Sequence, residues 1–317
     1  MKKFLILVVI ISAANFVSAQ QISLNSQYLF NEMLVNPAAV GVKDYIPIQM
    51  SFRKQWANFP GAPVTQAISA NGKVGKKMGF GGSIFNDVAG PSRRTGMNLN
   101  TSYHLQLDSK KNHKLAMGIG MSLTQHLIDV TRLTTYLPDD PAVTAGFDNQ
   151  MVPDANVGLF YYFKDKGYAG ISAYNLVELK RNLYDFENSI GNPLVRTYYF
   201  LGGYNFRLSD NFGLKTSTLV QGIETGTVQF DVTALFTFKD YVWLGASYRH
   251  EDAVAFLVGG QAGPFKFGYS YDYTLSDIAD YSYGSHEVFL ELQLFHAKEG
   301  TSRTPWLKRN RIYKPKI

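Results

Sequence analysis

The stretch Phe265-Lys266-Phe267-Gly268-Tyr269-Ser270-Tyr271-Asp272-Tyr273 places aromatic rings on one parity and Lys266, Gly268, Ser270 and Asp272 on the other. Successive side chains of a β-strand point to opposite faces, so a period of two means a strand with one apolar and one polar face. Working outward, the same rhythm occurs in Val228, Phe230, Val232, Ala234, Phe236 and Phe238 against Gln229, Asp231, Thr233 and Thr237. It recurs in Leu115, Met117, Ile119, Met121 and Leu123 against Ala116, Gly118, Gly120, Ser122 and Thr124. Met97, Leu99, Tyr103, Leu105 and Leu107 alternate with Asn98, Asn100, Ser102, His104 and Gln106, and Val288, Leu290, Leu292 and Leu294 with Glu287, Glu291 and Gln293.

Extended through the weaker segments, the pattern predicts strands near 47–56, 64–73, 77–87, 93–107, 112–127, 153–163 and 167–174 in the first half of the chain. The second half adds 196–207, 211–221, 227–239, 241–250, 253–262, 264–273 and 284–295. About fourteen strands, an even number and many near ten residues long, fit an outer-membrane barrel. The links alternate: 108–111, 164–166, 208–210, 240 and 263 are short, whereas 128–152, 175–195 and 274–283 are long. Short periplasmic turns and long outer loops have that asymmetry. A secreted β-sandwich shares the alternation. Aromatic residues at strand ends, such as Tyr161, Tyr162 and Phe163 or Tyr241 and Trp243, read instead as interfacial girdles. A closed barrel also pairs every backbone group within lipid. The last strand is expected to end on Phe295, although that residue has the opposite parity to Leu294. The fold class is therefore all-β, a single transmembrane outer-membrane barrel of about fourteen antiparallel strands.

Composition agrees. The 317 residues are 45% hydrophobic, 14% aromatic and only 18% charged, with 22 Phe and 20 Tyr, which excludes a disordered chain. Mean hydropathy is −0.12, and after residue 19 no apolar run approaches the roughly 20 residues of a membrane helix. The absence of cysteine excludes disulfides, thiolate metal sites and a cysteine nucleophile. Lys2 and Lys3, the apolar stretch from Phe4 to Ala14 and the small-residue site Val17-Ser18-Ala19 read as a secretory signal peptide over 1–19. The expected organisation continues with an N-terminal periplasmic or plug segment (20–46), the barrel (47–296) and a basic periplasmic tail (297–317). That tail carries Lys298, Arg303, Lys308, Arg309, Arg311, Lys314 and Lys316 against Glu299, as large an excess as the +6 of the whole chain. With Lys2 and Lys3 also basic, the body is slightly acidic, so the net charge gives no sign of nucleic-acid binding.

Little catalytic chemistry is visible. The histidines 104, 113, 126, 250, 286 and 296 are dispersed with no metal-ligand spacing, and no cofactor motif is present. Gly79-Phe80-Gly81-Gly82 lacks the lysine and following helix of a phosphate loop. A Ser and His brought together by the fold, as in a barrel hydrolase, is the enzymatic alternative. Arg53, Asp231, Arg249, Lys266, Asp272, Glu287 and Glu291 are expected to face the lumen, because a charge on the lipid side costs about 2–4 kcal/mol at midplane. They would form a mutually paired, plug-filling network, or line a selective pore.

Several motifs stand in order: Gln27-Tyr28-Leu29-Phe30-Asn31, Asn36-Pro37-Ala38-Ala39-Val40-Gly41, Phe52-Arg53-Lys54-Gln55-Trp56, Gly61-Ala62-Pro63 and Thr65-Gln66. Pro153-Asp154-Ala155-Asn156-Val157-Gly158, Phe267 to Tyr273, Leu275-Ser276 and Gly284-Ser285-His286-Glu287 follow. The ordered set resembles the PorP/SprF family, outer-membrane proteins of type IX secretion and gliding systems of Bacteroidota. It departs at Glu32 and Met33, where a Pro after the Asn is expected. The resemblance implies a non-enzymatic role without cofactor. The implied partner is the C-terminal sorting domain of a secreted protein or cell-surface adhesin, retained at or exported through the outer membrane. The alternatives are a core-machine barrel docking a periplasmic peptidoglycan-binding lipoprotein or other type IX components, and a small-solute porin. Outer-membrane lipid is the expected surrounding, and no nucleic acid is expected. Tyr28, Asn36, Pro37 and Trp56 join the charged set as candidate partner-binding or lumen residues. Trp306, with Arg309 beside it, is a candidate anchor in the tail, since Trp and Arg are enriched at binding hot spots. Asn36-Pro37-Ala38 should lie at the periplasmic mouth or fold into the lumen as a plug.

Overall fold

The computed structural model describes residues 25–295, except 110–111, 130–131, 133–146, 165, 178–179, 182–191, 194 and 225. The expected signal peptide and the basic tail, with Trp306 and Arg309, lie outside the described residues. In the first half run β1 (Ile46–Lys54), β2 (Val64–Val74), β3 (Met78–Ala89), β4 (Ser92–Gln106), β5 (His113–Asp129), β6 (Phe147–Phe163) and β7 (Gly167–Tyr174). Two two-residue strands follow, β8 (Lys180–Arg181) and β9 (Asn192–Pro193). The second half comprises β10 (Thr197–Arg207), β11 (Phe212–Ile223), β12 (Val228–Phe238), β13 (Val242–Arg249), β14 (Ala253–Ala262), β15 (Phe265–Thr274) and β16 (Ser285–Leu294).

Fourteen of these strands form one closed antiparallel barrel, β1 to β7 followed by β10 to β16, with β8 and β9 paired separately. Each strand pairs with its neighbour in sequence, and β16 closes on β1 from Ile46↔Leu294 to Lys54↔His286. Closure leaves no sheet edge within the lipid. The alternation decides which face meets lipid: Met121, Leu244, Ile119 and Phe265 are all more than 60% exposed on the outer surface, whereas Arg53, Glu287 and Glu291 are at most 2% exposed inside. Strands β1 and β16 begin and end at the rim that also carries the turns 75–77, 164–166, 208–211, 239–241 and 263–264. The longer links lie at the other rim, the asymmetry that outer-membrane barrels show between periplasmic turns and outer loops.

Several boundaries differ from the sequence expectation. Strand β6 begins at Phe147, six residues early, because it stays paired with β5 from His113↔Phe163 to Asp129↔Phe147. Strand β7 pairs only with Val157 to Phe163, so the start of β6 rises above its neighbour. Pro153 stands in that stretch, where the missing N–H has no β7 partner to lose. Strand β1 stops at Lys54, and Trp56 turns the chain with a φ of 48°. Strand β16 ends on Leu294 rather than Phe295, whose φ of 51° lies in the left-handed region. The girdle reading is corrected for two residues. Tyr162 and Trp243 are buried inside the barrel, 6% and 4% exposed, because parity and not closeness to a strand end sets the side.

The buried apolar core is correspondingly unusual for a barrel: it forms between the inner wall and the N-terminal segment. Tyr28, Val35 and Ala38 pack with Phe160, Tyr162, Tyr199, Leu201 and Leu219. Phe30 packs with Leu235, Trp243, Leu257 and Phe289.

Candidate functional site

Residues 25–45 run through the lumen as three short 3-10 turns, Tyr28–Phe30, Glu32–Leu34 and Pro37–Ala39. Inside the barrel this segment has no strand ladder to join, so its backbone bonds locally and to wall side chains. Phe30 N donates to Gln27 O at 3.1 Å and Asn31 N to Tyr28 O at 3.0 Å. Ser102 Oγ donates to Val40 O at 2.8 Å, and Asn71 Oδ1 accepts from Gly41 N at 3.1 Å. His104 and Tyr162 extend this set, with His104 Nε2 3.0 Å from Val40 O and Nδ1 2.9 Å from the Tyr162 hydroxyl.

The Asn-Pro-Ala motif has a specific seat. Asn36 caps its turn by accepting from Ala38 N at 2.9 Å, and Pro37 presets the backbone of the first position. The Asn36 amide donates to Leu159 O at 3.0 Å and Ile171 O at 3.1 Å, both wall carbonyls of β6 and β7. Three glycines make room for it: a Cβ at Gly118 would lie 2.3 Å from Ala38 N, one at Gly158 2.2 Å from Asn36 Oδ1, and one at Gly170 2.7 Å from Asn36 Nδ2.

At the long-loop end of the lumen an ion cluster holds the start of the segment. Ser26, fully buried, donates its hydroxyl to Asp272 Oδ2 at 2.7 Å and accepts from Arg53 Nη1 at 3.0 Å and Arg249 Nη2 at 2.9 Å. Its backbone N–H donates to Glu287 Oε2 at 2.7 Å. Arg53 bridges Asp272 at 2.8 Å and Glu287 at 3.1 Å, while Arg249 lies 3.4 Å from Asp231 and 3.0 Å from Asp252. Charges removed from water to this extent need such pairing, and losing one partner of a buried pair costs about 3–5 kcal/mol.

Near the short-turn end, a second group surrounds Glu291. It accepts from Tyr45 at 3.4 Å and Gln293 at 2.8 Å, and Lys43 Nζ lies 3.9 Å away. Lys43 also donates to Phe30 O at 2.7 Å. The Phe30 ring sits 5.1 Å from Trp243 and 4.9 Å from Phe289, with Lys266 Nζ 4.1 Å from its centroid. That places a cation–π contact, worth about 0.5–2 kcal/mol, beside the aromatic stack.

Of the residues singled out from sequence, Arg53, Asp231, Arg249, Asp272 and Glu287 converge. Glu291 and Lys266 belong to the second group. Tyr28 is buried, its hydroxyl 3.4 Å from Thr233 Oγ1, and Asn36 and Pro37 meet the glycine floor. Trp56 stands apart on the long-loop rim, its backbone N–H donating to Ser285 Oγ at 3.1 Å. Sequence reasoning missed Ser26, Gln27, Lys43, Tyr45 and the wall glycines, all individually unremarkable. The small residues on the lumen parity at 118, 158 and 170 were the available signal. Among the described residues no group of three or more His, Asp or Glu side chains is arranged to hold a metal ion.

A family profile described as type IX secretion system membrane protein PorP/SprF matches residues 17–292. No curated protein matches the chain. Among solved structures, a Pseudomonas aeruginosa FadL homologue aligns with 11% identity and a TM-score of 0.47, covering 86% of this chain and 94% of its own. The P. putida toluene transporter TodX aligns with 10% identity and a TM-score of 0.46, covering 84% and 95%. BamA from Haemophilus ducreyi lacking POTRA domains 1–3 aligns with 9% identity and a TM-score of 0.43, covering 78% and 70%.

Proposed function

Because the chain belongs to the PorP/SprF family of type IX secretion system membrane proteins, and is an outer-membrane β-barrel, we propose that it works without catalysis, binding a secreted protein or adhesin by its C-terminal sorting domain. It retains that cargo at the cell surface or helps its export. The observation that carries this reading is a lumen occupied by the protein's own N-terminal segment beneath a braced loop rim. A filled lumen suits a docking platform better than a solute channel.

At that rim the β1–β2 and β15–β16 links are hydrogen-bonded to each other, Ala57 N to Gly284 O at 2.7 Å and Tyr283 N to Ala57 O at 2.9 Å. Tyr281 and Tyr283, each 72% exposed, project from the β15–β16 link, and Phe59 lies on the β1–β2 link braced against it. Aromatic side chains on rigid elements are the usual anchors of binding energy. The test is an affinity pull-down of the tagged protein from detergent-solubilised outer membranes, with mass spectrometry of what co-purifies. A large surface protein carrying a C-terminal sorting domain is expected, and replacing Tyr281 and Tyr283 together by Ala should reduce its recovery about tenfold. A clean monomer that conducts ions would overturn the reading in favour of a porin.

A further inference from the structure

The short-turn mouth carries a charge pattern that the cargo reading does not use. Between β2 and β7 it presents Lys73, Lys76, Lys77, Lys114, Lys164 and Lys166. Among the described residues the carboxylates of this sector are Asp44, which pairs with Lys73, and Asp108, which accepts the His113 N–H at 2.8 Å. Three of the lysines stand over aromatic rings: Lys77 is 5.9 Å from the Tyr103 centroid, Lys114 5.4 Å from Tyr162 and Lys164 5.6 Å from Phe163. These contacts hold the ammonium groups at the mouth, where six lysines stand against two carboxylates among the described residues. Within the sector a pocket opens between Lys73, Lys76 and Lys114, floored by His104, Gln106 and Tyr162.

The opposite rim has the other sign in its β13–β16 sector, where Glu251, Asp252, Asp277 and Asp280 lie. Strand β16 ends at this same short-turn mouth, and the next segment in sequence, 297–317, is the most basic of the chain. A concave surface lined by one sign of charge concentrates and steers a partner of the other.

We propose that the short-turn mouth between β2 and β7 is a docking site for an acidic protein segment presented from the periplasm, one carboxylate side chain entering the pocket between Lys73, Lys76 and Lys114. The pocket is on the lumen side of the wall, with Lys114, His104 and Tyr162 all on the inward parity, so a peptide reaches it more directly than a membrane lipid does. The site is independent of which cargo the loops take.

The test uses the full chain in detergent and a fluorescently labelled peptide of about ten glutamates, with a glutamine peptide of equal length as control, read by anisotropy. The glutamate peptide should bind and the glutamine peptide should not. Binding should weaken as salt is raised, because the screening length falls from about 10 Å at 0.1 M to about 3 Å at 1 M. Replacing Lys76 and Lys114 together by Glu should weaken binding about tenfold, Lys164→Glu with Lys166→Glu should weaken it as well, and Lys54→Glu on the far rim should leave it unchanged. Gel mobility before and after heating verifies the folded barrel; where a reversal variant loses that band, the corresponding Lys→Gln pair reads the same loss. Equal binding of the two peptides, or binding indifferent to both lysine pairs, would overturn the proposal. So would lysine-dependent binding of phosphatidylglycerol vesicles by a protein that ignores the glutamate peptide.

Discussion

Ser26 shows how much a small side chain can organise. Its hydroxyl and N–H together meet Arg53, Arg249, Asp272 and Glu287, joining four wall side chains to the lumen segment. Arg53→Met should therefore destabilise the barrel by about 3–5 kcal/mol, since Asp272 and Glu287 lose their common cation in a buried site. Ser26→Ala removes only a neutral hydroxyl and should cost about 1–3 kcal/mol. Urea unfolding in liposomes measures both, and an Arg53→Met loss no larger than that of Ser26→Ala would contradict the ion-cluster account. The glycine floor gives a separate prediction. Gly158→Val should displace the Asn36 turn and raise single-channel conductance, because the first added carbon already overlaps Asn36 Oδ1. Gly222→Ala is the control, since a Cβ there meets nothing closer than 4.0 Å.

At the scale of elements, the N-terminal segment supplies the packing that a barrel of this width lacks on its own. Phe30 fills the space among Leu235, Trp243, Leu257 and Phe289. Burying such a ring contributes about 1.5–3 kcal/mol. We propose that the segment plugs the pore. Deleting residues 21–42 should convert a closed barrel into a conducting one in planar bilayers, and an unchanged closed state would remove the plug from consideration. The strands themselves were well marked in the sequence wherever one face is uniformly apolar, as in β5, β12 and β15. The start of β6 was not, because Phe147-Asp148-Asn149-Gln150-Met151 has no clear alternation and only its pairing with β5 makes it strand.

For the whole molecule, the turn asymmetry predicts that the short-turn rim faces the periplasm. The chain contains no cysteine, so single introduced thiols report cleanly. Asn58→Cys, on the long-loop rim, should react with an impermeant maleimide on intact cells, whereas Lys76→Cys should react only after the outer membrane is opened. The reverse result would invert the barrel and move the basic docking site to the outside. Lipid exposure is tested at Ile119, 62% exposed on the outer wall, where Ile119→Lys should cost about 2–4 kcal/mol if the site lies near the midplane.

The barrel class, its strand number and the inward direction of Arg53, Asp231, Arg249, Asp272 and Glu287 were legible along the chain. Each rests on a local period of two and on the cost of placing charge in lipid, so no distant contact needs to be known. The meeting of those side chains was not legible. Ser26 reaches Glu287 across 261 positions of sequence and Arg53 across 27, and both become neighbours only when β16 closes on β1. The seat of Asn36 likewise needs β5, β6 and β7 side by side, since glycines far apart in sequence make a floor only when the strand register aligns them. Parity tells which face a residue takes; the circumference of the closed barrel decides which residues meet across it.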